Sequence, residues 1–285
     1  SGKRSFLKGD RCFDCHEGEG PDIGDLIMSG KKLEPEPITG KRGSIPVSIQ
    51  AAHDGDYLYM RFQWPDTEHV PVAFADGGKM DPKNPTKLAV MLATDDVEYA
   101  DRSGCWQTCH IDAASMPLEP DAGTLGGSPL AGSLDLSGGV TKYLKESRTE
   151  IEIEGKGGKT RGGWDKLKAA GEIQAALDNG QFMDLLRYQA GTGKSEDGYI
   201  LAERVMSGGQ GVEFSGGLSG DTWTVEMKRK LTSDKPGDIS LSTGEQYNIG
   251  FAIHDDYSNQ RYHHVSLGFK LGFDDDGAEI NAVGK

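Results

Sequence analysis

Cys12-Phe13-Asp14-Cys15-His16 places two thiols three positions apart, with an imidazole directly after the second. Thiols at that spacing can add to the two vinyl groups of one haem while the adjoining histidine is held beneath the iron. C-x-x-C-H is therefore the pattern of a c-type haem attachment, with His16 as proximal ligand. Cys105-Trp106-Gln107-Thr108-Cys109-His110 repeats the arrangement with one extra residue, C-x-x-x-C-H. A lone C-x-x-C-H also suits a redox dithiol, a disulfide or half a zinc site. Two such pairs, each ending in histidine and together using all four cysteines, favour two haem c groups. A shared zinc ion would have to join pairs about 90 residues apart and would leave His16 and His110 unexplained.

An iron used for electron transfer usually takes a second axial ligand, and histidine, methionine or lysine can supply it. Of seven histidines, two close the motifs and five remain. His53 lies in a predicted hairpin turn, His69 follows Trp64-Pro65, and His254, His263 and His264 fall within eleven positions. Any one of them suits a surface turn or a satisfied core position; together they are enough to give both irons distal imidazoles. His263 and His264 alternate if extended, so only one faces a given haem. The distal candidates are thus His53, His254, His263 and His264, with Met80 and Met116 in reserve. Met60, Met91, Lys228 and Lys230 are weaker, because most methionines fill cores.

The elements that must position these groups are mainly strands. Residues 45–64 alternate in the strand manner around His53-Asp54-Gly55-Asp56, which predicts a hairpin. Further strands are expected at 87–93, 150–154, 221–230, 247–253 and 261–269. Residues 113–162 are rich in Gly, Ser and Pro and read as a long loop excursion. Ile173, Leu177, Met183 and Leu186 predict helix over 163–190, split in two by Asn179-Gly180. The outcome is an all-β fold, a β-sandwich of the carbohydrate-binding-module kind, with a haem-bearing arm over 1–42. The sandwich fills 43–285 and carries a loop and helical insertion at about 95–197.

A net charge of −14 excludes nucleic acid and anionic lipid as natural partners and suits basic ones. No run of about 18 apolar residues is present to span a membrane. The absence of a basic n-region and apolar h-region is expected of a chain whose signal or anchor has been removed. The glycine-rich stretches at 155–159 and 191–195 lack the strand-to-helix frame of a phosphate loop. Asp274-Asp275-Asp276 and Asp95-Asp96-Val97-Glu98 have the composition of calcium loops, although solvated acidic turns are the commoner use.

Three blocks carry a family resemblance: 51–66 (Ala51-Ala52-His53-Asp54-Gly55 through Trp64-Pro65-Asp66), 223–231 (Trp223 through Leu231) and 250–255 (Gly250-Phe251-Ala252-Ile253-His254-Asp255). They resemble the haem-binding domain of the ethylbenzene dehydrogenase γ-subunit family, found also in dimethyl sulfide and selenate enzymes. That resemblance implies a β-sandwich holding a b-type haem between methionine and lysine and taking electrons from a molybdenum subunit. This sequence departs from the pattern in its cysteine motifs and its many histidines. It is similar in that respect to the c-type version associated with membrane-anchored multihaem quinol dehydrogenases of the NapC/NirT group. The expectation is a bacterial periplasmic dihaem cytochrome, an electron carrier rather than an enzyme. Its expected partners are a quinol-oxidising membrane cytochrome or a periplasmic reductase. Two other readings stay open: a small-ligand or carbohydrate-binding sandwich with a structural haem, and a haem enzyme whose open distal site reduces nitrite, hydroxylamine or peroxide.

Overall fold

A computed structural model describes residues 8–31, 40–66, 81–109, 144–154, 160–259 and 263–285, together with Ser5, Pro37 and Gly127. The chain opens with two helices, α1 (Cys12–His16) and α2 (Gly20–Met28), and the sheet begins with β1 (Ser48–His53), β2 (Tyr57–Pro65) and β3 (Lys87–Ala93). The α3 helix (Ala100–Cys109) follows, and then β4 (Arg148–Glu154) and β5 (Thr160–Leu167) pair as a separate ribbon. After α4 (Ala170–Asp178) come β6 (Met183–Gln189), β7 (Lys194–Ile200), β8 (Arg204–Val205), β9 (Val212–Ser219) and β10 (Thr222–Lys230). The chain closes with β11 (Tyr247–His254), β12 (His264–Val265), β13 (Phe269–Phe273) and β14 (Ile280–Gly284).

Among the described residues one hydrogen-bonded path runs β8-β7-β6-β3-β11-β13-β14-β1-β2-β10-β9, with β12 beside β11. The path folds over on itself, because its two ends meet. Tyr188 of β6 packs on Phe214 of β9 at 5.8 Å and donates its hydroxyl to the Gly216 carbonyl. Across the middle, Phe62 of β2 meets Phe251 of β11 edge-on at 5.7 Å. The result is an all-β sandwich whose core lies between the layers.

Alternation explains the inner layer. Leu58, Met60, Phe62 and Trp64 on β2 and Trp223, Val225, Met227 and Arg229 on β10 are all buried. Trp64 and Trp223 are cross-strand partners with stacked rings 6.4 Å apart.

Two expectations change. The helical pattern predicted over 163–190 holds only for α4: residues 163–167 belong to the strand β5, and the helix predicted beyond Gly180 is the strand β6, which pairs with β3 and β7. Its first four residues are all buried, which erases the two-residue period that marks a half-exposed strand. Residues 261–269 do not form one strand either. The chain pairs at His264–Val265, breaks over 266–268, and pairs again from Phe269. At the break Gly268 lies against Gly104, and a Cβ on Gly104 would come within 2.6 Å of the Gly268 nitrogen. Gly104 itself kinks α3 with φ +73°, immediately before Cys105.

Candidate functional site

The first cysteine motif is a short helix. Within α1, Cys12, Cys15 and His16 fall at i, i+3 and i+4, so both thiols and the imidazole share one face. Asp14 and the backbone of Arg11 cap its start. His16 Nδ1 bonds Glu19 Oε2 at 2.7 Å, which orients the ring and leaves Nε2 for a metal. Burial, then the neighbouring Cys15, push the Cys12 thiol above its ordinary value.

Three contacts dock α1 on the sandwich. Arg11 clasps both oxygens of Glu279, at 2.8 and 3.0 Å, and also donates to the Gly268 carbonyl. Phe13 stands edge-on to Phe269 at 5.3 Å, and Phe269 is stacked with Phe251 at 6.1 Å. A file of aromatic rings therefore leads from the motif to Phe62 in the core. Beside it a groove of about 520 Å³ is walled by Val47, Ile49, Ala51, Phe251, Phe269 and Ile280 together with the polar Gln50, Glu279 and Asn281. That size and mixed lining can take a cofactor.

The second motif lies on α3, and α1 packs against α3. The backbone from Cys105 to Cys109 is helical, whereas His110 lies outside the described residues, as do Met80, Met116 and His69. The start of α3 rests on β3 and β11, with Ala100 and Gly104 over Met91, Ala93 and Gly250.

The described distal candidates divide into two places. His53, at the end of β1, is buried; its Nε2 is bonded to Asp274 Oδ2 at 3.0 Å and its ring meets Phe273 edge-on. Strand registers put Phe273 and His53 at the opposite end of their strands from Phe269 and Glu279, where α1 docks. The other three gather at the end of β11. His254 and His263 have ring centroids 4.9 Å apart. His254 shares the face of Gly250 and Ala252, the side on which α3 rests. His264 is paired with Ile253 and shares the opposite face, that of Phe251 and the groove.

His264 is half-buried, its Nε2 is buried with no hydrogen-bond partner among the described residues, and desolvation followed by the charge of Lys41 lowers its pKa to about 4. A neutral imidazole with one open ring nitrogen is the form a metal requires. Its neighbours were not visible in the sequence. Arg42 Nε bonds Asp255 at 2.8 Å, Arg42 Nη1 bonds the Pro65 carbonyl at 2.9 Å, and Lys41 Nζ lies 3.5 Å from Asp256. Among the described residues the groove lining holds no histidine or cysteine; His264 shares its face of the sheet without lining it.

The acidic runs are occupied by protein donors. Asp274 accepts from His53 and Gly284, Asp275 from Gln246 and Gly277, Asp95 from Asn248 and Lys270, and Glu98 pairs with Lys145.

A family model described as ethylbenzene dehydrogenase matches residues 26–215 and 140–266. The chain is 40% identical over 278 residues to cytochrome c-552 of Stutzerimonas stutzeri, covering 97% of this chain and 78% of the relative. The chain belongs to the ethylbenzene dehydrogenase family, alongside that cytochrome c. Cytochrome c-551 of Rhodocyclus tenuis is 28% identical over 279 residues, covering 96% of this chain and 84% of its own. Among solved structures, a family 9 carbohydrate-binding module of Caldicellulosiruptor kristjanssonii in complex with glucose aligns over 86% of this chain and 81% of that one, at 9% identity and a TM-score of 0.33. The family's matched region takes in both faces of β11, but it begins after α1. The first cysteine motif therefore lies ahead of the matched family region, on a helix docked to it.

Proposed function

We propose that this chain is a dihaem c-type cytochrome that passes electrons in a periplasmic respiratory chain. The observation that carries the reading is the pairing of two C-x-x(-x)-C-H motifs, which use every cysteine, on two short helices packed against each other. The names of the relatives as cytochromes c support haem c and electron transfer. Bound haem would supply a one-electron iron couple.

Cys12 and Cys15 would fix one haem by thioether bonds, with His16 beneath it and Glu19 holding the ring. Phe13, Phe269 and Phe251 would give that haem an apolar wall and keep water from it. Cys105 and Cys109 would fix the second, with His110 as proximal ligand. We assign His264 as the first distal candidate on the groove face and His254 or His263 on the α3 face. Adjacent motif helices favour transfer between the haems, and the acidic surface favours a basic patch on the donor or acceptor. A quinol-oxidising membrane cytochrome or a periplasmic reductase would be the redox partner in this scheme. No helix among the described residues is long and apolar enough to cross a membrane.

Intact mass of the purified chain, read with a reduced pyridine haemochrome spectrum, tests the proposal. Two added haem masses are expected. One would remove Cys105 and Cys109 from the scheme; none would overturn it. A ferrous form that binds CO without displacing a ligand would replace the carrier reading with an open-site enzyme.

A further inference from the structure

Asp184, Asp197 and Asp238 come from β6, β7 and the loop after β10, and all three are buried. One carboxylate oxygen from each lies within 4.8 Å of the others. Each acid spends one oxygen, Oδ2, on the protein. Asp184 Oδ2 takes Arg229 and the Ile239 amide, Asp197 Oδ2 takes the Gly211 amide, and Asp238 Oδ2 takes the Gln210 amide and Ser233. The remaining three, Asp184 Oδ1, Asp197 Oδ1 and Asp238 Oδ1, are buried with no hydrogen-bond partner among the described residues. The Asp184 side chain is fully buried, at 0% exposure.

Three carboxylates face one guanidinium, that of Arg229, so three negative charges against one positive leave a buried net charge of −2. Uncompensated burial on that scale costs several kcal/mol per ion. The backbone is shaped around the gap. A Cβ on Gly209 would fall 2.2 Å from Asp197 Oδ1 and 2.7 Å from Asp238 Oδ1, so only glycine leaves the space between them open.

We infer that Asp184, Asp197 and Asp238 hold a structural calcium ion. The ion would complete the charge balance and tie the loops around 209 and 238 to β6 and β7. Every donor is oxygen, which selects a hard cation over zinc or copper. A buried set of protein oxygens suits calcium, whereas magnesium demands near-ideal octahedral geometry and usually keeps several waters. The acidic runs named from the sequence lack this feature, because none of their oxygens is among the buried unpartnered ones. The inference is independent of the haem assignment, since neither motif contributes a ligand.

The test uses the full haem-loaded chain. After dialysis into calcium-free buffer, elemental analysis should find one calcium per chain. A strong chelator should remove it and lower Tm by about 5–10 °C, calcium but not magnesium should restore it, and the visible haem spectrum should stay unchanged. Asp238→Asn and Gly209→Ala should each abolish both the bound calcium and the chelator response. Absence of calcium with an unmoved Tm in the wild-type chain overturns the inference, and needs no variant to fold. A chelator response that survives in Asp238→Asn places the ion elsewhere and also overturns it.

Discussion

Two buried clusters of charge lie within the same sandwich, and they are balanced differently. At the end of β11, Asp255 and Asp256 meet Arg42 and Lys41, two carboxylates against two cations. Between β6, β7 and the loop after β10, Asp184, Asp197 and Asp238 have one cation among the described residues bonded to them, Arg229. The consequences for neighbouring groups are opposite. In the first cluster burial and Lys41 keep His264 neutral, with its pKa down at about 4, while in the second burial and repulsion raise the acids. A balanced cluster can present a neutral donor to a metal that brings its own ligands, as haem does. An unbalanced one needs the metal's charge.

Breaking the unbalanced cluster should cost most. Arg229→Met removes its one cation and strands Asp184, and we expect a loss of about 3–5 kcal/mol in denaturant unfolding. Saturating calcium should recover part of that loss, because the variant leaves more negative charge for the ion to meet. A loss under about 1 kcal/mol would mean that the acids are already neutral by protonation, and the contrast between the clusters would disappear.

The balanced cluster is probed through its imidazole. His264→Ala should cost about 2 kcal/mol as a small cavity, and it should turn one of the two proposed haems from low to high spin. An unchanged visible spectrum would reduce His264 to a core residue and pass the groove-side iron to another ligand. His254→Ala should act on the other haem, so the two variants together should be spectrally additive.

The sequence made local chemistry legible and long-range chemistry illegible. The spacing within Cys12-Phe13-Asp14-Cys15-His16 is itself the signal, so the motif could be read without a fold. The hairpin of β1 and β2 and the strands β3, β10 and β11 were equally plain, because one face is apolar and the other polar, or because turn residues bound them. By contrast β6 was read as helix, since a strand buried on both faces has no two-residue period. That misreading hid Asp184, an acid inside the apolar run Phe182-Met183-Asp184-Leu185-Leu186, which is the one local hint of the acidic cluster. The docking of α1 depends on Arg11 meeting Glu279 and on Phe13 meeting Phe269, partners more than 250 positions away. No spacing rule reaches that far. The alternation of His263 and His264 was legible, but not the pairing with Ile253 that decides which of them faces the groove.

The smallest expected effect separates charge from geometry. Arg42 donates through Nε to Asp255 and through Nη1 to the Pro65 carbonyl, so its planar fork joins the end of β2 to the turn after β11. Arg42→Lys keeps the positive charge beside Asp255 but cannot reach both acceptors with one ammonium. If balance of charge is what the cluster requires, the loss should be that of one hydrogen bond, about 1 kcal/mol, with the haem spectrum unmoved. If the fork itself sets the position of the turn carrying His254 and Asp255, the same substitution should perturb the spin state as well. Thermal unfolding and the visible spectrum of one variant therefore decide between the two. A cost as large as that of Arg229→Met would show that the first cluster depends on geometry rather than on its matched charges.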